Sequence, residues 1–391
     1  LTPPPPRSTL IRSRRQRQMC IRDSHQAVNL LESTENHKIE WVAPENSDWE
    51  IISIETTRGY MIHPEHGTTL IKYYYQVLED KLSPEARKGM NFFFQDELKV
   101  DIDNYVWPED FASVFMDIKG YDIRPFLPAL YVEIGDITPK IRLDYSDVMV
   151  ELVEKRYFKP IFEWHWKRGL IFGCDNWGRG LEPERYGDYF RATRWFSAPG
   201  NDAPRRGYSF IQTKVSSSVA HLYKRPRVWL EAYHSMGWNA QPSQIHFSTN
   251  KHYQFGANLL CLHGLYYSTH GGWWEWAPPD FHFRMPYWPH FKNWLKSAER
   301  LSYLLSQGTH VCDVAIMYPV APLQANNGGD KTVAFQTGEI LFNSGMDFDF
   351  IDFQSLNRAE ISNNRFSVSD ENYQVLVLAD MSAIHFSSLQ N

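Results

Sequence analysis

Carboxylate side chains follow short apolar runs at three points of this sequence, and they are the groups best suited to acid–base chemistry. They are Asp96 and Glu97, Asp175, and Glu231. A carboxylate that emerges from an apolar strand is partly desolvated, so its pKa can rise toward the range that a general acid needs. Structural roles stay open beside this one: a helix-start acid for Asp96 or Glu97, and a salt-bridged core carboxylate for Glu231.

Glu97 and Glu231 together suggest hydrolysis of a glycosidic bond, because that reaction uses two carboxyl groups. One group protonates the leaving oxygen, and the other activates a water molecule or attacks the sugar carbon. We therefore predict that Glu97 and Glu231 are the catalytic pair. An inverting enzyme would hold the two groups roughly 6.5–9.5 Å apart, whereas about 5–5.5 Å would indicate retention.

Aromatic residues make up 15% of the 391 residues, and eleven of the fourteen tryptophans lie between Trp164 and Trp294. Tryptophan rings stack on the C–H faces of sugars, while carboxylates and histidines bind the hydroxyl groups. The tryptophans of the loop THGGWWEWAPP are predicted to contact a ligand, whereas Trp164 and Trp166, inside a helical pattern, are predicted to pack in the core. The predicted substrate-binding residues are Asp96, Asp175, Trp229, His263, His270, Trp273, Trp274 and Trp276.

The segment GCDNWGRG leaves three roles open for Asp175. The side chain could bind a sugar hydroxyl, ligate Ca²⁺, or begin an Asx turn closed by Gly178. No set of metal ligands is identified elsewhere, because His221, His246 and His252 are scattered along the chain and are expected at the surface or as hydrogen-bonded core residues.

Composition narrows the possible partners. The formal net charge of −6 provides no basic field, so nucleic acid is not an expected partner. No apolar run approaches the roughly 20 residues that cross a bilayer, so no membrane span is expected. The four cysteines lack CxxC spacing and are expected as small buried hydrophobes. Neither a GxSxG elbow nor an HExxH motif is present.

Helical patterns alternate with short apolar strands, which is typical of α/β architecture with a parallel sheet. Because polar residues stand where strand after strand ends, we predict a (β/α)₈ TIM-like barrel over residues 25–307, with its first strands expected upstream. The absence of a glycine-rich phosphate loop argues against an open doubly wound sheet. Residues 183–210 are predicted as a long loop, and residues 308–391 as a truncated, flavodoxin-like α/β domain.

Residues 1–24 are predicted to be a non-native or disordered tail outside the fold. A proline run is followed by six arginines, and no acidic residue occurs before Asp23. A basic targeting or nucleic-acid arm is one interpretation of such a charge run. The stretch RSRRQRQMCIRDS instead resembles the translated adapter read-through found at the ends of metagenomic gene fragments.

The order of several motifs resembles the central region of glycoside hydrolase family 106, large bacterial enzymes of the α-L-rhamnosidase type. The motifs are FFFQDEL, GYDIRPFLPAL, GLIFGCDNWGRG, RVWLEAYHSMGW and LLCLHGLYYS. The resemblance implies a catalytic (β/α)₈ barrel followed by an α/β domain. It also implies an inverting mechanism with Glu97 as acid and Glu231 as base, and calcium near the sugar. A periplasmic or extracellular location and a terminal α-L-rhamnose of a polysaccharide as substrate are further implications.

Two other functions stay open. A retaining β-galactosidase-like barrel with a similar second domain would hold its two carboxyl groups closer together. A non-catalytic carbohydrate-binding protein would use the Trp273–Trp276 platform and turn over no glycoside.

Overall fold

The computed structural model describes residues 17–23, 26–29, 34–35, 38–39, 50–55, 62–96, 98, 105–175, 179–183, 187–203, 210–270 and 278–389. The chain forms two compact units. The first comprises Leu1–Gly59 and Tyr105–Arg142, and the second comprises Tyr60–Asn104 and Leu143–Asn391. The strand-end carboxylates all belong to the second unit.

The described strands of the first unit are antiparallel. Three of them form a sheet in the order β2-β1-β5, and β3 pairs with β4. A helix over Phe111–Lys119 ends at Gly120, which takes a left-handed backbone conformation that favours glycine. The strands are β1 (Arg17–Asp23), β2 (Gln26–Asn29), β3 (Thr34–Glu35), β4 (Lys38–Ile39) and β5 (Glu50–Glu55).

Strand β1 differs from the prediction that residues 1–24 stand outside the fold. It pairs with β5 from Arg17 opposite Glu55 to Arg22 opposite Glu50. Strand pairing uses backbone N–H and C=O groups, which every non-proline residue carries, so an arginine-rich composition does not reveal it. Residues 1–16 lie outside the described residues.

Five consecutive strands of the second unit run parallel and carry the strand-end residues. Strand β6 pairs with β7, and β9 lies between β8 and β10. A parallel bridge between Gly173 and Ala198 connects β7 with the segment that leads into β8. The strands are β6 (Phe92–Asp96), β7 (Ile171–Asp175), β8 (Gly200–Ala203), β9 (Trp229–Ala232) and β10 (Leu259–Leu262).

Helices connect these strands, because parallel neighbours need a crossover between them. Within the described residues, no helix has both the length and the apolar character needed to cross a membrane. In chain order the described α-helices are α1 (His66–Leu70), α2 (Gln76–Lys81), α3 (Pro84–Arg87), α4 (Phe111–Lys119), α5 (Thr138–Val153), α6 (Lys159–Trp166), α7 (Tyr189–Thr193), α8 (Ile211–Leu222), α9 (Pro242–Gln254), α10 (Trp288–Leu305), α11 (Ala321–Ala325), α12 (Lys331–Asn343) and α13 (Phe353–Asn357).

The long helical pattern before β7 is interrupted near its middle. Helix α5 ends at Val153, a π-helical turn spans Glu154–Phe158, and α6 begins at Lys159. Pro160 stands in the first turn of α6, where a missing N–H costs nothing, whereas the same residue would break a continuous helix.

The prediction of one long loop over residues 183–210 is wrong in part, because α7 and β8 lie within it. Asp188 caps α7 by accepting a hydrogen bond from the N–H of Arg191 at 3.2 Å. The sequence of β8, Gly-Asn-Asp-Ala, has no apolar run to mark it as a strand. It forms a strand because it packs closely against β9. A Cβ on Gly200 would lie 2.5 Å from Cβ of Trp229, so only glycine lets the two strands lie this close.

One side of the parallel strands packs against helices. Leu230 and Ala232 of β9 are fully buried in a cluster with Tyr253 of α9 and Phe291 of α10. Successive side chains of a strand point to opposite faces. Glu231, which lies between Leu230 and Ala232, therefore points away from this apolar core.

A second parallel sheet follows after residue 308, with β11 between β12 and β16. An antiparallel meander of β13, β14 and β15 precedes β16. Both sides of residue 308 belong to one compact unit, and a domain boundary there stays a prediction. The strands are β11 (Val314–Met317), β12 (Phe348–Ile351), β13 (Glu360–Ser362), β14 (Arg365–Val368), β15 (Glu371–Tyr373) and β16 (Val375–Val377).

Candidate functional site

Parallel pairing places the strand-end carboxylates on one face, which we call the carboxylate face. Asp96 of β6 lies opposite Asp175 of β7, and Asp202 of β8 lies opposite Glu231 of β9. Residues in register on neighbouring strands point to the same side of a sheet. The carboxylate face therefore carries Asp96, Asp175, Asp202 and Glu231.

Three of these carboxylates converge. One oxygen from each of Asp96, Asp175 and Glu231 lies within 4.8 Å of the others. The three groups differ in depth, because Asp175 is fully buried, the side chain of Glu231 is 13% exposed, and Asp96 is exposed. The site therefore runs from a buried carboxyl group to one that faces solvent.

Asp175 holds a proton in the absence of a bound cation. Burial raises its pKa to about 10, and the hydrogen bond to Glu231 and the charges of Glu231, Asp96 and Asp202 act in the same direction. Neither of its oxygens accepts a hydrogen bond from a protein donor. A proton shared with Glu231 satisfies the pair, because two carboxylates this close cannot both ionise easily.

Glu231 is the more accessible member of this pair. Burial raises its pKa, while the hydrogen bond from Asp175 and the nearby His263 oppose that rise. Nε2 of His263 lies 3.9 Å from Oε1 of Glu231. Burial lowers the pKa of His263, so its ring is neutral near pH 7. Glu231 therefore lies between the buried carboxyl group of Asp175 and the ring of His263 in the network of interactions.

A hydrogen-bonded pair, Asp202 and His234, borders the site and was missed by the sequence analysis. Oδ1 of Asp202 lies 2.5 Å from Nε2 of His234, and the His234 ring is 5.4 Å from that of His263. Asp202 was missed because β8 was predicted as loop. The signal that could have found it is the aspartate itself, which stands in β8 at the position opposite Glu231 of β9.

Cys261 also lies on the carboxylate face, opposite Glu231. It is half-buried, whereas the sequence suggested a buried core residue. Burial raises the pKa of the Cys261 thiol to about 12, and the carboxylates Glu231, Asp175 and Asp96 raise it further. The residue is thus a neutral thiol and not a nucleophile at neutral pH.

The prediction that Trp229 contacts substrate is corrected by its burial. Its side chain is 3% exposed, stacks on Phe94 at 5.5 Å and contacts Phe92 at 5.7 Å between ring centroids. It lies two residues before Glu231 on the same face, and a Cβ on Gly173 would come within 2.5 Å of its ring. Trp229 therefore fills the floor of the site and offers no free ring face to a sugar.

The remaining predicted site residues fall into two groups. His270 is exposed on the segment after β10, its N–H donates to Oγ of Ser268 at 3.0 Å, and it is not among the converging groups. The others lie outside the described residues, and their roles stay predictions: Glu97, Trp273, Trp274 and Trp276.

The two tryptophans of α6 have different environments. Trp164 is buried and stacks on Tyr75, as predicted. Trp166 is 52% exposed and stacks only on its helix neighbour Phe162 among the ring contacts described, so the prediction of a core position is wrong for it.

The motifs noted in the sequence lie in a region that matches a known protein family. The family model of glycoside hydrolase family 106, described as alpha-L-rhamnosidase, matches residues 59–391. The chain belongs to glycoside hydrolase family 106. The match includes every residue of the carboxylate face, and the resemblance carried by the motifs is confirmed.

This family 106 chain is similar to longer proteins. It is 25% identical to a Formosa agariphila protein named "Putative beta-glucuronidase" over 378 residues, which cover 88% of this chain and 30% of that protein. Its fold is similar to that of a rhamnosidase from Novosphingobium sp. PP1Y, with a TM-score of 0.71 and 17% identity over 94% of this chain and 38% of the rhamnosidase. The chain thus spans well under half the length of either relative.

The converging carboxylates suit the calcium ion that the family resemblance implies. Ca²⁺ prefers carboxylate and carbonyl oxygens and takes several at once. Both oxygens of buried Asp175 lack a protein donor, and Glu231 and Asp96 bring further oxygens within 4.8 Å. A cation would satisfy the buried oxygens as well as a shared proton does.

Proposed function

We propose that this chain carries the catalytic site of an inverting glycosidase that removes a terminal neutral sugar, α-L-rhamnose, from a polysaccharide. The observation that supports this most is the convergence of Asp96, Asp175 and Glu231 at the ends of parallel strands. Carboxyl groups in such a place supply what hydrolysis of a glycosidic bond needs.

Glu231 is proposed as the general base. A base must be ionised and within hydrogen-bond reach of the water that it activates. Burial raises the pKa of its partner Asp175 to about 10, and the side chain of Glu231 is the one of the two that reaches solvent. It interacts with Asp175 through a hydrogen bond, and one of its oxygens lies 3.9 Å from Nε2 of His263.

Glu97 is proposed as the general acid. An inverting pair stands roughly 6.5–9.5 Å apart so that a water molecule fits between the groups. One carboxylate oxygen of Asp96 and one of Asp175 lie within 4.8 Å of an oxygen of Glu231, which leaves no room for that water molecule. Glu97 follows Asp96 directly in the sequence, and its role stays the one that the family resemblance implies.

The charges of the site favour a neutral sugar over a uronic acid. The groups that act most strongly on the charge of Asp175 are the carboxylates Glu231, Asp96 and Asp202. A uronate would add a like charge to a partly buried site, which is costly. Rhamnose carries no charge, so a rhamnosidase suits these residues better than the glucuronidase named for the Formosa relative.

Ca²⁺ is proposed as a cofactor held by Asp96, Asp175 and Glu231. When bound, it would supply positive charge that keeps these carboxylates ionised and offsets their mutual repulsion. Each carboxylate has two oxygens, so Glu231 can hold a cation with one and face a water molecule with the other.

The five parallel strands are proposed as part of a (β/α)₈ barrel, and the second parallel sheet as part of a flavodoxin-like domain. Phe92 and Phe94 of β6 lie on the carboxylate face but are 47% and 43% exposed. At the other end of the array, Leu259, Leu260 and Leu262 of β10 are only half-buried. Further strands of a closed barrel would cover these apolar residues.

Activity on a panel of aryl glycosides tests the proposal. The full chain is assayed against nitrophenyl α-L-rhamnoside, β-D-galactoside and β-D-glucuronide, with Glu231→Gln and, as a matched control, Glu299→Gln on the exposed side of α10. We expect turnover of the rhamnoside, a loss of about 10²-fold or more in Glu231→Gln, and no change in the control.

Each alternative has its own result. Preferred hydrolysis of the galactoside with retained configuration would support the β-galactosidase-like alternative. Saturable binding of rhamnose without turnover of any glycoside would support a carbohydrate-binding protein. Preference for the glucuronide would contradict the argument from charge.

A further inference from the structure

Two histidines and two carboxylates converge at a second place, which we call the His–carboxylate cluster. One ligand atom from each of His221, His310, Asp349 and Glu371 lies within 4.8 Å of the other three. The residues come from α8, the segment before β11, β12 and β15. The sequence predicts no metal role for His221, because residues this far apart in the chain show no ligand spacing.

The distances between ligand atoms suit one small cation. Nδ1 of His221 is 2.9 Å from Oδ1 of Asp349. Nδ1 of His310 is 3.1 Å from Oε2 of Glu371 and 3.3 Å from Oδ2 of Asp349. A tetrahedral ion with bonds of about 2.0–2.2 Å holds its ligand atoms roughly 3.3–3.6 Å apart. Small side-chain shifts would therefore seat such an ion.

The other ring nitrogen of His310 has the partner that metal-bound histidines usually have. Nε2 lies 2.9 Å from Oδ2 of Asp347, and Nζ of Lys214 lies 2.8 Å from Oδ1 of the same aspartate. A ligating imidazole commonly donates its second N–H to a carboxylate, which fixes the ring orientation and raises its basicity. Asp347, held in place by Lys214, can support His310 in this way.

Hydrogen bonds also fix the carboxylate of Asp349. Its Oδ1 accepts a hydrogen bond from the hydroxyl of Ser218 at 3.0 Å, and its Oδ2 accepts one from the hydroxyl of Tyr373 at 2.9 Å. The side chain is fully buried. Hydrogen bonds to ligating carboxylates are a regular part of metal sites.

Carboxylates outnumber ammonium groups in the cluster. The buried Asp349 and Glu371 and the partly exposed Asp347 lie around one ammonium group, that of the buried Lys214. The rings of His221 and His310 stack with centroids 4.1 Å apart and 13° between planes, so both imidazoles reach the carboxylate of Asp349. A divalent ion would supply positive charge among these carboxylates.

We propose that His221, His310, Asp349 and Glu371 bind one divalent transition-metal ion, with Zn²⁺ the best match. Imidazole ligands favour zinc over calcium, and four protein ligands make a closed, structural site. The ion would tie helix α8 to the second parallel sheet. The site is separate from the carboxylate face and does not depend on the proposed glycosidase chemistry.

Metal analysis of the full chain, purified without a polyhistidine tag, tests the proposal. We expect about one zinc ion per chain after dialysis, and its removal by a strong chelator should lower the melting temperature until Zn²⁺ is restored. His221→Gln should lose the zinc. Two control variants should keep the zinc: His246→Gln, at an exposed position of α9, and Asp175→Asn, on the carboxylate face.

Cobalt substitution covers the case in which a variant does not fold. The wild-type chain loaded with Co²⁺ should show the visible absorption of a four-coordinate ion, and His246→Gln should show the same spectrum. A wild-type chain that holds no transition metal, and whose melting temperature responds to neither chelator nor Zn²⁺, would identify the cluster as an ion-pair network only and overturn the proposal.

Discussion

At the residue scale, depth separates the roles of the two coupled carboxyl groups. Asp175 is fully buried and its pKa is raised to about 10, whereas the side chain of Glu231 reaches solvent. Only a group that is both ionised and accessible can activate water. The proposed base is thus identified by its surroundings, since both groups are carboxylic acids.

The leaving group should distinguish the two proposed catalytic residues. Glu97→Gln should slow hydrolysis of an alkyl or sugar rhamnoside by about 10²-fold or more and a nitrophenyl rhamnoside far less, because nitrophenolate needs little protonation. Glu231→Gln should slow both substrates alike. Measured kcat values for the two substrates decide this, and equal losses in Glu97→Gln would contradict its role as the acid.

Asp175→Asn should remove a pH dependence of stability. The pKa of Asp175 is about 10 in the native state against an ordinary value of 3.8, so the native state binds this proton more tightly than the unfolded state. The resulting stabilisation is fully present below about pH 4 and declines as the pH rises toward 10, by at most about 1.4 kcal/mol per pH unit.

Denaturant unfolding between pH 5 and 9, with a chelator present, measures this effect. The wild-type free energy of unfolding should fall with rising pH, and the Asp175→Asn curve should be flatter. Asp80→Asn, at an exposed position of α2, serves as the control and should follow the wild type. A variant with the wild-type slope would show that Asp175 is ionised in the native state.

At the element scale, the close approach of β8 and β9 sets the geometry of the site. Gly200→Ala would place a Cβ 2.5 Å from Cβ and O of Trp229 and against the carbonyl oxygen of Cys174. Because two of these contacts are with backbone atoms, we expect a loss of about 2–3 kcal/mol. Urea unfolding measures this loss of unfolding free energy. Gly89→Ala, whose added Cβ would have its nearest contact at 3.4 Å, should leave the unfolding free energy almost unchanged.

The π-helical turn between α5 and α6 carries a buried ion-pair network. Oε2 of Glu154 accepts from Nε of Arg191 at 2.7 Å, and its other oxygen pairs with Arg194 at 2.5 Å. Glu154→Gln would leave a buried guanidinium undercompensated and should cost about 3 kcal/mol of unfolding free energy. Glu163→Gln, an exposed partner 4.0 Å from Lys159, should cost under about 1 kcal/mol. Equal losses in the two variants would contradict the network.

The sequence was sufficient to find the strand ends but not every strand. Asp96, Asp175 and Glu231 follow apolar runs, and such runs mark buried parallel strands. Strand β8 has no such run, so Asp202 was missed. Trp229 was predicted as a sugar contact because aromatic composition says nothing about depth. The space for its ring comes from Gly173 of β7, which only the folded chain brings next to it.

At the scale of the whole molecule, two kinds of cation site should stabilise the chain independently. Ca²⁺ should raise the melting temperature of the wild type and not that of Asp175→Asn, because binding to the native state alone stabilises it. Zn²⁺ should act on both proteins equally. Thermal unfolding with each ion separates the effects, and a Ca²⁺ response that survives Asp175→Asn would place calcium elsewhere.

The central claim is that the carboxylate face performs inverting hydrolysis of an α-L-rhamnoside. Proton NMR of the earliest product, before mutarotation, tests it most directly. The account predicts that β-L-rhamnose forms first with the wild-type chain and that Glu231→Gln forms neither anomer at a comparable rate. First formation of α-L-rhamnose would contradict the account, because retention requires a covalent intermediate and a closer carboxylate pair.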